Sequence, residues 1–197
     1  MNPWRDPPTL TGQHMTLRPL QRDDADGLVA AASAGGLWDT FYAGVSKLKD
    51  IDDWYAEVEA ERGYGRAMPF TVLDRDGAII GTTRYMRMSE PHRRVEIGGT
   101  FYAIAAQRTG VNTEAKRAML AYAFDVMGCN VVEIRTDWLN RRSQAAIERL
   151  GAKRDGVLRN HQVMAGRRVR DVVVYSIIAS EWASVRQHLD FLLARHG

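Results

Sequence analysis

A single cysteine, Cys129, is present in 197 residues, so no internal disulfide framework can form and a reducing compartment, by default the cytoplasm, is expected. The five histidines are scattered, with no pair at metal-ligand spacing, and no metal site is expected. No apolar run approaches the roughly 18 residues that a membrane helix needs, so a membrane partner is not expected either. Three of the six prolines fall within residues 2–8, Asn-Pro-Trp-Arg-Asp-Pro-Pro. That segment lacks the basic and apolar regions of a signal peptide and reads as an extended arm, residues 1–8, ahead of one domain over residues 9–197. Two phosphate-binding motifs are missing as well. No stretch supplies G-x-x-x-x-G-K-S/T, and Gly110 has no glycine two or five positions on, which excludes a P-loop and a dinucleotide fingerprint.

What the chain does contain is enough apolar sequence for one sizeable core, with 45% of residues apolar and 26% charged. Its net charge of +3 is unevenly spread. Residues 1–98 hold 12 basic against 15 acidic residues, a balance of −3, and residues 99–197 hold 15 against 9, a balance of +6. A basic half suits a polyanionic small ligand, and it would also suit nucleic acid.

Periodicity yields an α/β order. Residues 15–20 alternate as a strand, and Asp23 and Asp24 are placed to cap a helix over 25–33, stopped by Gly35 and Gly36. An acidic helix follows over about 50–61, with Trp54, Tyr55 and Val58 on one face. Strands at 70–73 and 78–88 flank a turn ending in Asp76-Gly77, and residues 94–104 make the next strand. Helical spacing returns over 114–127 and ends at Gly128. A strand at 131–136, a helix at 140–150 closed by Gly151, strands around 157–164 and 169–178 and a helix over 181–194 complete the chain. The order β-α-α-β-β-β-α-β-α-β-β-α predicts a mixed sheet with helices on both faces.

Residues 107–115, Gln-Arg-Thr-Gly-Val-Asn-Thr-Glu-Ala, sit where the β-prone run 101–106 gives way to a helix. A glycine-centred turn ahead of a helix aims unpaired N–H groups and the positive end of the helix dipole at one point, which suits phosphate. In the segment 140–152, Asn140 can cap a helix, Ser143 sits in its first turn and Gly151 supplies a left-handed C-cap. In this order, with a strand between them, the two segments resemble the GNAT superfamily of N-acetyltransferases. Gln107 and Gly110 match its pyrophosphate loop, Q/R-x-x-G-x-G/A, with Asn112 where the family has Gly or Ala. Asn140, Ser143 and Gly151 match the N-x-x-S…G motif of the ribosomal-protein alanine acetyltransferase type. The tail from Arg170-Asp171 through Tyr175 to Glu181-Trp182 resembles that type too, so the likeness runs over about residues 9–182.

The resemblance implies the GNAT acyl-CoA N-acyltransferase fold, an α/β (α+β) architecture with a mixed, mostly antiparallel central sheet and helices on both faces. It implies an acetyl-CoA-dependent N-acetyltransferase. Acetyl-CoA is then the cosubstrate and small-molecule acyl donor, and a primary amine, either a protein N-terminus or a small-molecule amine, attacks it directly. Coenzyme A would insert between two splayed strands against the backbone of Phe101 and Tyr102. Gln107, Arg108, Thr109, Gly110, Val111, Asn112 and Thr113 would wrap its pyrophosphate, and Asn140 and Ser143 would reach it from the following helix. Gly98 and Gly99, adjacent inside a strand, favour a bulge or a close backbone approach there. Glu114 is expected to point away from the phosphates.

Acetyl transfer needs a base for the amine, donors for the oxyanion and a proton for the departing thiolate. Glu96, a carboxylate in an apolar strand, is the first candidate base, and the alternative is an ion pair with Arg84, Arg87 or Arg94. Glu133 and Asp137 rank behind it. Many family members carry an acid tyrosine where this chain has Ile147. The ribosomal-protein type implies Ser143 as the acid, and Tyr102 and Tyr175 stay open. Over 35–65 the chain mixes aromatics (Trp38, Phe41, Tyr42, Trp54, Tyr55) with acids. They would form either a wall suited to a cationic amine or an amphipathic helix with a solvated acidic face. Two other functions are kept, a non-catalytic acyl-CoA-binding protein and a basic nucleic-acid-binding domain. No helix-turn-helix or aromatic-basic motif supports the second, so no nucleic-acid partner is expected, and a homodimer stays open.

Overall fold

The computed structural model describes residues 2–39 and 44–195. Among these, eight strands form one sheet: β1 (Leu10–Thr11), β2 (Thr16–Pro19), β3 (Met68–Leu73), β4 (Ile79–Ser89), β5 (Arg94–Tyr102), β6 (Val131–Asp137), β7 (Lys153–Val163) and β8 (Val169–Ile178). Their spatial order is β1-β2-β3-β4-β5-β6-β8-β7. Every neighbouring pair is antiparallel except β5 and β6, which run parallel and are joined by a crossover helix. The α-helices are α1 (Ala25–Ser33), α2 (Ile51–Gly63), α3 (Val111–Ala121), α4 (Arg141–Arg149) and α5 (Trp182–Leu193). This is the mixed, mostly antiparallel sheet with flanking helices that the sequence predicts.

Strand alternation divides the buried residues into two layers. Val95 and Ile97 of β5 and Val132 and Ile134 of β6 join Met119 of α3, Ile147 of α4 and Leu189 of α5 in the main core. The opposite face carries α1 and α2, where Leu28, Trp54 and Val58 pack with Phe101. Glu96, Gly98 and Glu133 therefore point away from the main core, toward the α1 and α2 side.

Four local expectations need correction. Helix α3 starts at Val111 rather than Glu114, because the Thr109 hydroxyl accepts from the Val111 N–H at 3.3 Å and donates to Ala106 O at 2.7 Å, fixing an earlier first turn. Residues 3–6 of the N-terminal segment form a turn instead of running extended. Arg5 and Asp6 donate backbone N–H bonds to Asn2 O at 3.0 and 2.8 Å, and the indole of Trp4, too apolar to leave in water, is buried in the main core. Asp24 does not cap α1 with its side chain. It is buried and accepts instead from Arg18 at 2.8 Å, Thr71 at 2.5 Å and Gln21 N at 2.9 Å, which makes it a tie between β2, β3 and the helix approach. Strand β7 begins at Lys153, not Val157, since β8 offers paired backbone as far as Ser176, and a register break at Gly156 absorbs the irregularity.

Candidate active site

β5 and β6 pair over only three positions, Arg94 with Val131, Val95 with Val132 and Glu96 with Glu133. Beyond Glu96 the strands part. β5 runs on to Tyr102 beside β4, and β6 runs on to Asp137 beside β8. Two strands that separate in mid-sheet leave backbone N–H and C=O groups unpaired along the inner edges of the split. β5 bends at the same place: Arg84 faces Gly98 and Thr82 faces Phe101, so Gly99 and Thr100 stand against Thr83 alone, with Gly99 at φ 58°. This is the bulge that the glycine pair predicts.

The loop after β5 closes one end of the split. Gln107 Nε2 donates to Tyr102 O at 2.9 Å, and its Oε1 accepts from Arg142 at 2.6 Å, so one side chain ties the loop to both β5 and α4. Arg108 holds a left-handed φ of 64°, a conformation that costs a non-glycine residue about 1 kcal/mol. Gly110 has an ordinary φ of −65°, and its missing Cβ answers a packing need instead. A Cβ there would stand 2.7 Å from Cδ2 of His14. With Val111 N–H held by Thr109, the amides of Asn112 and Thr113 remain at the positive end of the 11-residue α3. Glu114 turns away, accepting from the N–H groups of Gln13 and His14 at 2.7 Å and of Met15 at 3.1 Å. Arg149 donates to Thr113 Oγ1 at 3.1 Å, and with Arg108 and Arg142 it makes this end of the split basic.

The other predicted coenzyme residues lie along the same opening. Phe101 and Tyr102 pair with Thr82 and Gly81, so their backbones form the β5 wall, while the side chain of Phe101 packs under α1 and that of Tyr102 in the main core. The Tyr102 hydroxyl is buried with no hydrogen-bond partner among the described residues, and burial raises its pKa. Tyr175 is pushed up to about 12 by burial and by its bond to Glu148 at 2.9 Å, which occupies it in the core. Just past β6, Asn140 caps α4, its Oδ1 accepting from Ser143 N–H at 3.0 Å, and half-buried Ser143 sits in the first turn.

Glu96 stands at the apex of the split, 5% exposed. Its carboxylate is paired with Arg87 and, at 3.3 Å, with Arg135. Burial raises its pKa, Arg87 and then Arg135 pull it down, and the net direction is up. Of the partners proposed from the sequence, Arg87 is found, Arg94 pairs with Glu133 instead, and Arg84 pairs with no carboxylate among the described residues. Alternation would turn Arg87 away from Met86 and its partner Glu96. A left-handed φ of 46° at a register break returns it to the Glu96 side. Asp137 is taken by Arg168 at 2.5 Å and by Leu139 N at 2.9 Å.

Two features escape the sequence reading. Lys116 of α3 is buried behind the bulge, its Nζ donating to Thr100 Oγ1 at 2.7 Å and Thr83 Oγ1 at 3.1 Å, and burial lowers its pKa to about 7. Its place three residues before Met119, on the apolar stripe of α3, is the signal that could have found it. Four of the five acidic residues of α2 are also paired. Asp52 pairs with Arg22, Glu57 with Lys47 at 2.6 Å, Glu59 with Arg62 at 3.1 Å and Glu61 with Arg66 at 2.6 Å. Trp54 belongs to the second core, so α2 is the amphipathic helix with a solvated acidic face. Phe41 and Tyr42 lie outside the described residues, as does the side chain of Trp38.

Residues 14–153 match the family described as acetyltransferase (GNAT) domain. The chain belongs to the GNAT acetyltransferases. It is 25% identical over 182 residues to the uncharacterized N-acetyltransferase p20 of Bacillus licheniformis, covering 89% of this chain and 98% of that one. YdaF of Bacillus subtilis, provisionally named a ribosomal N-acetyltransferase, is 28% identical over 182 residues, 86% of this chain and 94% of its own. A GCN5-related N-acetyltransferase from Brucella melitensis superposes with a TM-score of 0.85 at 26% identity, over 95% of this chain and 86% of that one. Mycobacterium smegmatis RimJ in complex with CoA-disulfide shares the fold, with a TM-score of 0.78 at 21% identity over 96% of each chain. This GNAT chain is accordingly an N-acetyltransferase, of a family that uses acetyl-CoA to acetylate amines. None of its described helices is long and apolar enough to cross a membrane.

Proposed function

We propose that acetyl-CoA binds in the split between β5 and β6, where a primary amine attacks its thioester with Glu96 as general base. The observation that carries this reading is the parting of the only parallel strand pair among the described residues immediately past Glu96 and Glu133. The acyl donor's pantetheine arm lies along the β5 wall formed by the backbone of Phe101 and Tyr102. Its pyrophosphate meets the amides of Asn112 and Thr113 within the cradle of Gln107, Arg108, Thr109, Gly110 and Val111, and Asn140 borders the arm from α4. The amine nitrogen bonds to the carbonyl carbon, Glu96 takes the amine proton directly or through water, and collapse of the tetrahedral intermediate breaks the carbon–sulfur bond. Ser143 gives the leaving thiolate its proton and regains one from solvent, to which Glu96 releases the proton it took. Arg87 and Arg135 favour the ionised form of Glu96 that the proton transfer requires.

The acceptor is a protein N-terminus or a small amine, the compartment that fits is the cytoplasm, and residues 9–197 act as a single catalytic domain. One experiment separates this reading from a non-catalytic acyl-CoA binder. Coenzyme A should raise the melting temperature, and adding an amine panel to the protein with acetyl-CoA should release free thiol. A thermal shift without thiol release from any amine would leave only the binder.

A further inference from the structure

On the sheet face that holds Glu96, two more arginines approach the split. Arg84, the cross-strand partner of Gly98, lies over the β5 bulge, so close that a Cβ on Gly99 would be 2.7 Å from its Nε. Arg170 projects from β8 beside Asp137 and Arg168. Arg170 lies two residues from Val172, the cross-strand partner of Asp137, so alternation puts it on the face that carries Glu133, Arg135 and Asp137.

Every acid in reach of them is already engaged. Around Arg84, Glu57 is held by Lys47, Glu61 by Arg66 and Glu96 by Arg87 and Arg135; Glu133 is held by Arg94 and Arg135, and Asp137 by Arg168. Arg84 and Arg170 have no ion pair or hydrogen bond among the described residues, and Nε of each is buried without a partner. Both residues remain half-buried, so part of each side chain stays open to a ligand. A guanidinium keeps its charge at any working pH, and a partly desolvated one with no carboxylate in direct contact is offset only by longer-range attraction, here from Glu57, Glu61 and Glu96 for Arg84 and from Asp137 for Arg170. A carboxylate or phosphate entering from solvent offers the planar, bidentate partner that each lacks. Gly98, facing Arg84, lies two residues and about 7 Å from Glu96 along the strand. An amine at Glu96 and an anion at Arg84 thus fit within one small acceptor.

We propose that Arg84 and Arg170 line the acceptor cleft as its anion-binding arginines, and that the acceptor is a primary amine carrying a carboxylate or phosphate group. The proposal rests on the β5–β6 split being the site of acetyl transfer. It replaces the cationic amine that the acidic composition of residues 35–65 invites.

The test compares matched acceptors with acetyl-CoA and thiol detection: amino acids against their methyl esters, phosphoethanolamine against ethanolamine, and peptides starting with Asp against peptides starting with Ala. Wild-type protein should favour the anionic member of at least one pair by about 10- to 100-fold in kcat/KM, and the pair that responds identifies carboxylate or phosphate. Arg84→Gln and Arg170→Gln should each collapse that ratio, mainly through KM, while coenzyme A still raises the melting temperature. Equal rates within all pairs, or a preference for a polyamine, would overturn the anionic acceptor and leave acetyl transfer standing. A coenzyme A thermal shift with no thiol release from any amine would overturn both.

Discussion

Glu96 stands beside Glu133 on the last rung that joins β5 to β6, and Arg135 reaches both carboxylates, at 3.3 Å and 2.7 Å. Two buried carboxylates in direct register repel each other, and the shared Arg135 guanidinium, with Arg87 on Glu96 and Arg94 on Glu133, offsets that repulsion. Burial raises the pKa of Glu96 from its ordinary value against the pull of Arg87 and Arg135. A base works in its ionised form, so kcat/KM should fall as pH drops through that raised pKa. Glu96→Gln should lower kcat by roughly 100- to 10,000-fold, with the melting shift from coenzyme A unchanged. Wild-type turnover in this variant would end the assignment.

Arg135→Gln tests the same network from the other side. With the shared cation gone, Glu96 is left with Arg87 and a nearer repulsion from Glu133, so its pKa should climb further. The acid limb of the kcat/KM profile should then move to higher pH. A residue that served only the fold would depress the profile evenly at every pH. Breaking a buried pair also costs stability, here on the order of 3 kcal/mol, which urea titration would read.

The parts of the site that are legible in the sequence are those built from neighbouring residues. The turn before α3, the Asn140 cap and the Gly98-Gly99 bulge each depend on a few consecutive letters and on backbone chemistry that those letters carry. The charge network is different. Arg135 and Glu96 come from different strands and meet through parallel pairing, and Arg87 joins them only because its backbone is left-handed, which a lone arginine does not announce. The acids of α2 mislead for the matching reason. Composition counts Asp52, Glu57 and Glu61, but not the cations from other segments that neutralise them.

Gly110 carries a prediction that separates packing from backbone conformation. Its φ is open to any residue, so Gly110→Ala should hurt only through the 2.7 Å approach to His14. We expect weaker coenzyme A binding, by about 10-fold if the loop shifts by enough to misalign the amides of Asn112 and Thr113. His14→Ala in the same chain should restore most of the affinity by removing the obstacle. A double variant as weak as Gly110→Ala alone would show that the glycine acts by some route other than His14.

Lys116 sets a pH dependence of stability with a definite sign. In the folded chain its pKa is lowered to about 7 by burial, whereas the unfolded chain holds the proton up to about the ordinary value of 10.5. Between those limits the unfolded state binds the proton and the folded state does not, so stability should rise with pH across the window. Below it both states are charged, and the full cost of burying the ammonium is present. Lys116→Met fills the same space without a charge, and Thr83 and Thr100 keep their own hydroxyl bond at 2.7 Å. The variant should be more stable than wild type at pH 6 by on the order of 2 kcal/mol, and the gap should shrink toward pH 10. Urea denaturation at pH 6, 8 and 10 measures it. A gap that stays constant with pH would mean that the folded chain holds the Lys116 proton as tightly as the unfolded one does, which is incompatible with an ammonium held only by two threonine hydroxyls.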